Sequence, residues 1–428
     1  MLRTVMKHRP RVSNHFTILA ILICAALAGA SESGCNTAQS STPASTGTIT
    51  IGVDLPLSGA DASDGVPTAN GVQLAVRDAN DAGLVSGFVL RVDVRDDAVN
   101  GVHDPGKGAA NFFSFVADPD DLGVIGPLNS NVAEAEIPIS DEDRLALISP
   151  SNTNPALTTG AEAMRLRRVN PLLLTYFRVS TTDEFQGAAG AAFARREIGA
   201  HRAFVVDDGE TFGRGIADEW ASEFRSEGGT VLDHLHALRG RTDYRALAGE
   251  IEGVHPDIVF FGGDSSTGAA DARAAMDGTP LAAVPYESGD GILNQQFLDV
   301  AGSQAEGTYA TVAAVDAARL PTAQEFVSEY RAAFDREPGD YSANAYAATM
   351  VLVQAISRAV AATGGKMPSR DDVLEQLRSD TAYPSILGML SFDANGDTRL
   401  KIVSIWEVVK HRWSFVMQRD FSHTKNVL

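Results

Sequence analysis

Leu122-Gly123-Val124-Ile125-Gly126 runs into Pro127-Leu128-Asn129-Ser130-Asn131, and further on Leu145-Ala146-Leu147-Ile148-Ser149 runs into Pro150-Ser151-Asn152-Thr153-Asn154-Pro155. Each apolar run has the length of a buried strand, and each ends in a short loop rich in serine, threonine and asparagine. A loop of this kind that opens a helix leaves backbone N–H groups and hydroxyls free for a negative group at the strand end. Two side by side make a carboxylate trap.

The same strand-then-helix alternation extends in both directions. Upstream lie Ile49 to Val53, a helical segment through Leu74 and Val76, Phe88 to Val94, and a helical segment through Phe112 and Phe113. Downstream a second series repeats it: Arg202 to Asp208, a helix from Phe212 through Phe224, Thr230 to Leu238, a helix near Tyr244 to Ile251, Asp257 to Gly263, a helix through Ala270 and Met276, and Leu281 to Tyr286. Alternation of this kind predicts parallel sheets wrapped by crossover helices. The fold class is therefore α/β, with two Rossmann-like lobes and a cleft between them. The last third is mostly helical. Thr322-Ala323-Gln324-Glu325 has the pattern of a capping box, opening a helix whose Phe326, Val327, Tyr330 and Phe334 share a face. Tyr341 to Ala362 is apolar nearly all round and reads as a buried helix, while Leu387 to Phe392 and Ile402 to Val408 read as strands joined by a turn at Asp393 to Asp397.

The 428 residues exceed what a single core usually serves, so two domains are the default. The first 35 residues carry a net +3 (Arg3, Lys7, Arg9 and Arg11 against Glu32), leaving −23 of the total −20 on the remainder. Nucleic acid is excluded as a partner, because phosphate binding needs a basic face. The basic start followed by the apolar run Phe16 to Ala30 has the layout of a secretory signal and is short for a membrane span. Residues 1–34 are read as that signal and 35–47 as a flexible tether. Cleavage before Cys35 would make that cysteine a lipid-anchoring residue, with cleavage after Ala30 as the alternative. Only Cys24 and Cys35 occur, so a chain cleaved before Cys35 holds no internal disulfide.

Taken in order, these residues resemble the periplasmic branched-chain amino-acid binding proteins, the type I solute-binding family of ABC transporters. The resemblance rests on Ile51-Gly52-Val53-Asp54-Leu55-Pro56-Leu57-Ser58-Gly59 with Gly65 and Gly71 to Ala75, on the two loops quoted above, on Arg178, Asp183, Gln186 and Gly187, and on Asp290-Gly291 with Ala301-Gly302 and Glu306-Gly307. It covers nearly all of Ile49 to about Val416. It implies lobes joined by three crossings, near Ser180, Val312 and Asp393. Lobe one would hold 48–180 and 313–392, lobe two 181–312 and 393–418, and 419–428 would be a tail.

The resemblance also implies site residues. Ser130, Ser151 and Thr153 match the groups that hold a ligand's α-carboxylate, and neutral donors at helix starts do this without burying a counter-charge. The simpler alternative is that Ser130 and Thr153 only cap their own helices. Asp290 matches the acceptor of the ligand's ammonium group, with Glu287 as its competitor, and Asp183 sits at a candidate cleft edge. Three positions depart from the family: Asp64 and Asp264 or Ser265 stand where aromatic rings are usual, and Phe212 replaces a common tyrosine. Carboxylates in place of apolar walls disfavour a leucine-like side chain and favour a polar or cationic one, unless Asp64 and Asp264 face solvent. Asn129 occupies a position where the family's disulfide has a cysteine.

His234 and His236 share a strand face but lack a clear third ligand, so no metal and no cofactor is expected. Asp393 to Asp397 begins like a calcium loop but lacks the closing glutamate, Ser404 standing in its place. No phosphate-binding loop, nucleophile elbow or zinc-protease motif occurs in the sequence. The expectation is an exported, lipid-anchored receptor that binds an amino-acid-like solute and hands it to ABC permease subunits without catalysing a reaction. A sensor that signals to a partner protein is the alternative, and an exported two-domain enzyme a remote one.

Overall fold

The computed structural model describes residues 47–237, 241, 243–379 and 381–423. The signal segment 1–34, Cys35 and the tether up to residue 46 lie outside the described residues. Gly47, read as the end of that tether, is the first residue of a strand.

That strand, β1 (Gly47–Leu55), is followed by α1 (Ala62–Asp81), β2 (Phe88–Asp96) and a short hairpin of β3 (Ala98–Val99) and β4 (Val102–His103). Then come α2 (Pro105–Val116), β5 (Asp121–Ile125), α3 (Ser130–Asp143), β6 (Leu147–Ser149), α4 (Gly160–Leu166) and β7 (Tyr176–Arg178). The strands form one parallel sheet in the order β2-β1-β5-β6-β7. The chain then crosses into a second lobe: α5 (Asp183–Phe193), β8 (Arg202–Asp207), α6 (Thr211–Ser226), β9 (Thr230–His236), α7 (Tyr244–Glu252), β10 (Ile258–Gly262), α8 (Ala269–Ala274), β11 (Tyr286–Ser288), α9 (Gln295–Ala301) and β12 (Thr308–Val312). It returns to the first lobe for α10 (Gln324–Phe334), α11 (Ser342–Ala362), α12 (Arg370–Leu377) and the hairpin β13 (Tyr383–Ser385) with β14 (Gly388–Leu390). A last crossing adds β15 (Ile402–Val408) and β16 (Trp413–Asp420) antiparallel to the edge of the second sheet, whose order is β16-β15-β12-β11-β10-β8-β9.

Burial explains why these segments are strands. β5 and β10 are buried at every position, as continuous apolar runs in the middle of a doubly covered parallel sheet should be. α11 is long and apolar enough by length and composition to span a membrane, yet Val351, Leu352 and Ile356 pack into the first-lobe core. It lies so close to α1 that a Cβ on Gly71 would overlap the Ser342 carbonyl oxygen.

The three crossings run together. Thr181 N–H donates to the Ala313 carbonyl (3.3 Å), Arg178 N–H to Gly396 (3.0 Å) and Thr398 N–H to Arg178 (3.1 Å).

Several local expectations are corrected. Leu387–Phe392 and Ile402–Val408 are not hairpin partners: β14 pairs with β13, and β15 with β12 and β16. Burial of Val403, Ile405 and Val408 in the second lobe outweighs local pairing, and Asp393–Asp397 closes a tight turn on itself, with Asp393 Oδ1 accepting Asn395 and Asp397 N–H. The capping box does not form, because Pro321 starts a 3-10 turn and the Thr322 hydroxyl donates to the Ile386 carbonyl (2.7 Å). Pro280–Ala283 is likewise a 3-10 turn, so the strand begins later, at Tyr286. Arg419 and Asp420, assigned to the tail, end β16 opposite Val403 and Ile402; the Phe421 ring lies 5.5 Å from that of Phe185.

Candidate functional site

The loops leaving the C-terminal ends of strands in both sheets enclose one cavity. Ser130, Ser151, Thr153 and Asp64 line it from the first lobe, and Phe212, Asp264 and Asp290 from the second. Asp183 is brought elsewhere. It is fully buried at the start of α5, its backbone N–H donating to the Thr153 carbonyl (2.9 Å), and it does not line the cavity. Burial, reinforced by the nearby Asp290 charge, holds its carboxyl well above the usual range. Glu287 is also fully buried and outside the lining, leaving Asp290 as the acid that faces in.

On the first-lobe side, Ser130 is the first residue of the fourteen-residue α3, where the helix dipole and free N–H groups favour negative charge. The Thr153 hydroxyl is buried beside the Asp183 carboxyl, a contact too loose to count as a full hydrogen bond, and it has no other partner among the described residues. Ser151 is spent differently: its hydroxyl donates to the Leu128 carbonyl (2.9 Å) and its N–H to Ser149 Oγ (3.2 Å). The loop is braced by Arg178, whose Nε donates to Asp397 Oδ1 (2.6 Å), Nη1 to the Asn154 carbonyl (2.7 Å) and Nη2 to Thr158 Oγ1. Tyr176 OH donates to Asn152 Oδ1 (2.9 Å), and Asn152 Nδ2 to the Leu128 carbonyl (2.8 Å), which ties the two loops to each other.

On the opposite side, Asp290 Oδ1 accepts Gln186 Nε2 and Oδ2 accepts Tyr341 OH (2.9 Å). Burial pushes its carboxyl up to about 6 against the pull of these bonds. Tyr341 belongs to the first lobe, so this bond spans the cleft. Asn129 Nδ2 donates across it to Asp264 Oδ2 (3.0 Å), Asn294 Nδ2 to Asp64 Oδ2 (2.8 Å) and Thr211 Oγ1 to Glu134 Oε2 (2.7 Å). His103, fully buried, joins Asp61 Oδ2 through Nδ1 (2.8 Å) and Glu210 Oε2 of the second lobe through Nε2 (2.7 Å). Burial depresses the imidazole's basicity, but these carboxylates outweigh it and raise the pKa well above 6.5.

Asp61, Asn129, Asn294, Asp340 and Tyr341 line the cavity without having been singled out as ligand groups. Their local roles hide them: Asn294 caps α9 by accepting Phe297 N–H (2.9 Å), and Tyr341 immediately precedes α11. The histidine pair gains the third group that the sequence did not reveal. Asp207, buried at the end of β8, accepts His234 Nε2 (2.8 Å) and His236 Nδ1 (2.7 Å) on the same oxygen. The three ligand atoms lie within 4.8 Å of one another, as a metal-holding group would require.

The cavity acids give a signed pH prediction. Asp64 and Asp264 are held well above the carboxylate range by burial and neighbouring acids, Asp340 reaches about 8 and Asp290 about 6. The native state thus binds protons that the unfolded chain has released, and stability falls as pH rises through these values. His103, raised by its carboxylates, acts in the same direction. Asp61 and Asp207 are lowered, so their contribution is lost only under stronger acid. The unliganded protein should therefore melt several degrees higher at about pH 5 than at about pH 8; a higher melting temperature at the alkaline end would refute this.

A family model described as periplasmic binding protein matches residues 48–408. Among curated proteins, the Leu/Ile/Val-binding protein homolog 1 of Brucella melitensis is 28% identical over 361 residues, covering 84% of this chain and 90% of that protein. The Leu/Ile/Val-binding protein BraC3 of Rhizobium johnstonii is 29% identical over 367 residues, with 85% and 92% covered. The leucine-binding protein LivK of Thermotoga maritima superposes with a TM-score of 0.73 at 25% identity, covering 86% of this chain and 98% of that one. A Rhodopseudomonas palustris solute-binding protein in complex with 4-hydroxybenzoate shares the fold, with a TM-score of 0.72 at 18% identity and 87% and 97% covered. Two parallel-sheeted lobes, three crossings and a match over nearly the whole described chain place it: the protein belongs to the periplasmic binding protein family.

Proposed function

We propose that this protein is the extracytoplasmic receptor of an ABC importer, capturing an amino acid or related small polar ligand between its lobes and presenting it to permease subunits. The observation that carries this reading is the division of one cavity into two walls. Buried hydroxyls at loop and helix starts stand on the first lobe, and the carboxylate of Asp290 stands on the second. A zwitterion satisfies both walls only when they come together, so binding shifts the population toward closure without any bond being made or broken. The leucine-binding neighbour takes a ligand of this kind.

In this reading Ser130 and Thr153 donate to the carboxylate, Asp290 accepts the ammonium group, and Phe212 contributes the apolar surface. Ser151 keeps the loop in shape more than it reaches the ligand. Asp183, buried outside the lining, makes no contact with the ligand, and the Asp290 charge helps to hold its carboxyl protonated. Cys35 carries a lipid anchor, and a Cys35→Ser variant should appear in the soluble exported fraction; retention of that variant on the membrane would remove the anchor.

A thermal-shift panel of amino acids, polyamines and small amides tests the reading. A true ligand at about 100 times its Kd adds about 2.7 kcal/mol to the folded state. At least one amino acid should raise the melting temperature by several degrees. Stabilisation by none of them, or turnover of a bound compound, would overturn the assignment.

A further inference from the structure

The cavity's charge is out of balance in one direction. Its lining includes Asp61, Asp64, Asp264, Asp290 and Asp340 but no lysine or arginine. Asp61 is paired with His103, and Asp290 is committed to the ligand's ammonium group in the reading above. Asp64 and Asp264 stand on opposite walls, and the amides that reach them across the cleft, Asn294 and Asn129, are neutral.

We infer that the ligand is an amino acid whose side chain carries a second positive charge, an ammonium or guanidinium group held between Asp64 and Asp264; this rests on the amino-acid reading of the same cavity. An aliphatic side chain there would strip water from two carboxylates and return nothing, whereas a cation stabilises their charged forms and draws the two walls together. Two buried atoms of the lining each suit one part of such a ligand. Thr153 Oγ1 offers a donor to the α-carboxylate, and Asn129 Oδ1, on the residue whose amide nitrogen already holds Asp264, offers an acceptor to a side-chain N–H.

Binding of a cation here also moves protons. Burial and neighbouring charge hold Asp64 and Asp264 toward their protonated forms, Asp61 and Asp340 acting on Asp64, and Asp61, Asp208 and Glu210 opposing His103 at Asp264. A cation that restores the carboxylates releases those protons to solvent.

Calorimetry at neutral pH, in two buffers of different ionisation enthalpy, tests this with L-ornithine, L-lysine and L-arginine against L-leucine, L-norleucine and putrescine. The best of the three cationic amino acids should bind about 100-fold more tightly than norleucine, which lacks the side-chain ammonium, and should release protons. The near-isosteric double variant Asp64→Asn with Asp264→Asn should lose about 100-fold in that affinity, show a urea midpoint at neutral pH no lower than that of the wild type and bind norleucine no worse. Preference for leucine or norleucine, still weakened by Ser130→Ala with Thr153→Ala, would overturn the cationic side chain and leave the receptor reading standing. Putrescine binding as tightly as ornithine would overturn the amino-acid frame, and binding of no amino acid would overturn both.

Discussion

Ser130→Ala combined with Thr153→Ala is expected to weaken amino-acid binding by about 100-fold or more, the loss of two hydrogen bonds to a carboxylate at roughly 1.5–3 kcal/mol each. The thermal stability of the unliganded protein should change little, because the Thr153 hydroxyl makes only a loose contact with the Asp183 carboxyl. Ser151→Ala is the informative contrast. Its hydroxyl is already donated to the Leu128 carbonyl, so the single variant should cost stability more than affinity. Titration calorimetry with the best ligand from the panel separates these outcomes. Equal affinity of wild type and double variant would remove both residues from the carboxylate site.

Arg178→Met is expected to destabilise the protein by about 3–5 kcal/mol, since it leaves Asp397 buried without its cation. Arg178 is fully buried and holds two segments through three contacts: the turn at Asp397, and both ends of the 3-10 turn at Asn154 and Thr158. Arg178→Lys keeps the charge but cannot reach all three, because an ammonium lacks the planar fork of the guanidinium. It should fall between wild type and the methionine variant in urea midpoint. An unchanged midpoint for Arg178→Met would show that the two segments hold together without it.

Much of this was legible before any coordinates. Parallel sheets announce themselves through strands buried on both faces, so residues 122–125 of β5 and all of β10 stand out as unbroken apolar runs. The serine and threonine loops were visible because their composition changes abruptly at the strand ends. Pairing of the last strands was not legible: Ile402–Val408 is close in sequence to one partner and takes another, because its apolar face fits the second lobe. The site showed the same limit. Asp290 and Ser130 stood in matching segments, whereas Tyr341 and Asn294 reach the cavity from positions that look like ordinary helix starts. Asp183 looked like a cleft residue, and the turn at α5 directs it into the interior instead. Asp207 shows why spacing along one strand misses a cluster completed from the next: its register partner on β9 is His236.

The bonds that span the cleft also bear on timing. Asn129 with Asp264, Asn294 with Asp64, Tyr341 with Asp290, Thr211 with Glu134 and His103 with Glu210 join protein to protein. All of them must break before anything held inside can leave, whatever its own affinity. Escape therefore requires the parting of the lobes, and a solute that bridges both walls adds its own bonds to those that must break, so stronger solutes should dwell longer. Selection among them then lies in how long each keeps the cleft shut, which makes the receptor a timer as much as a trap.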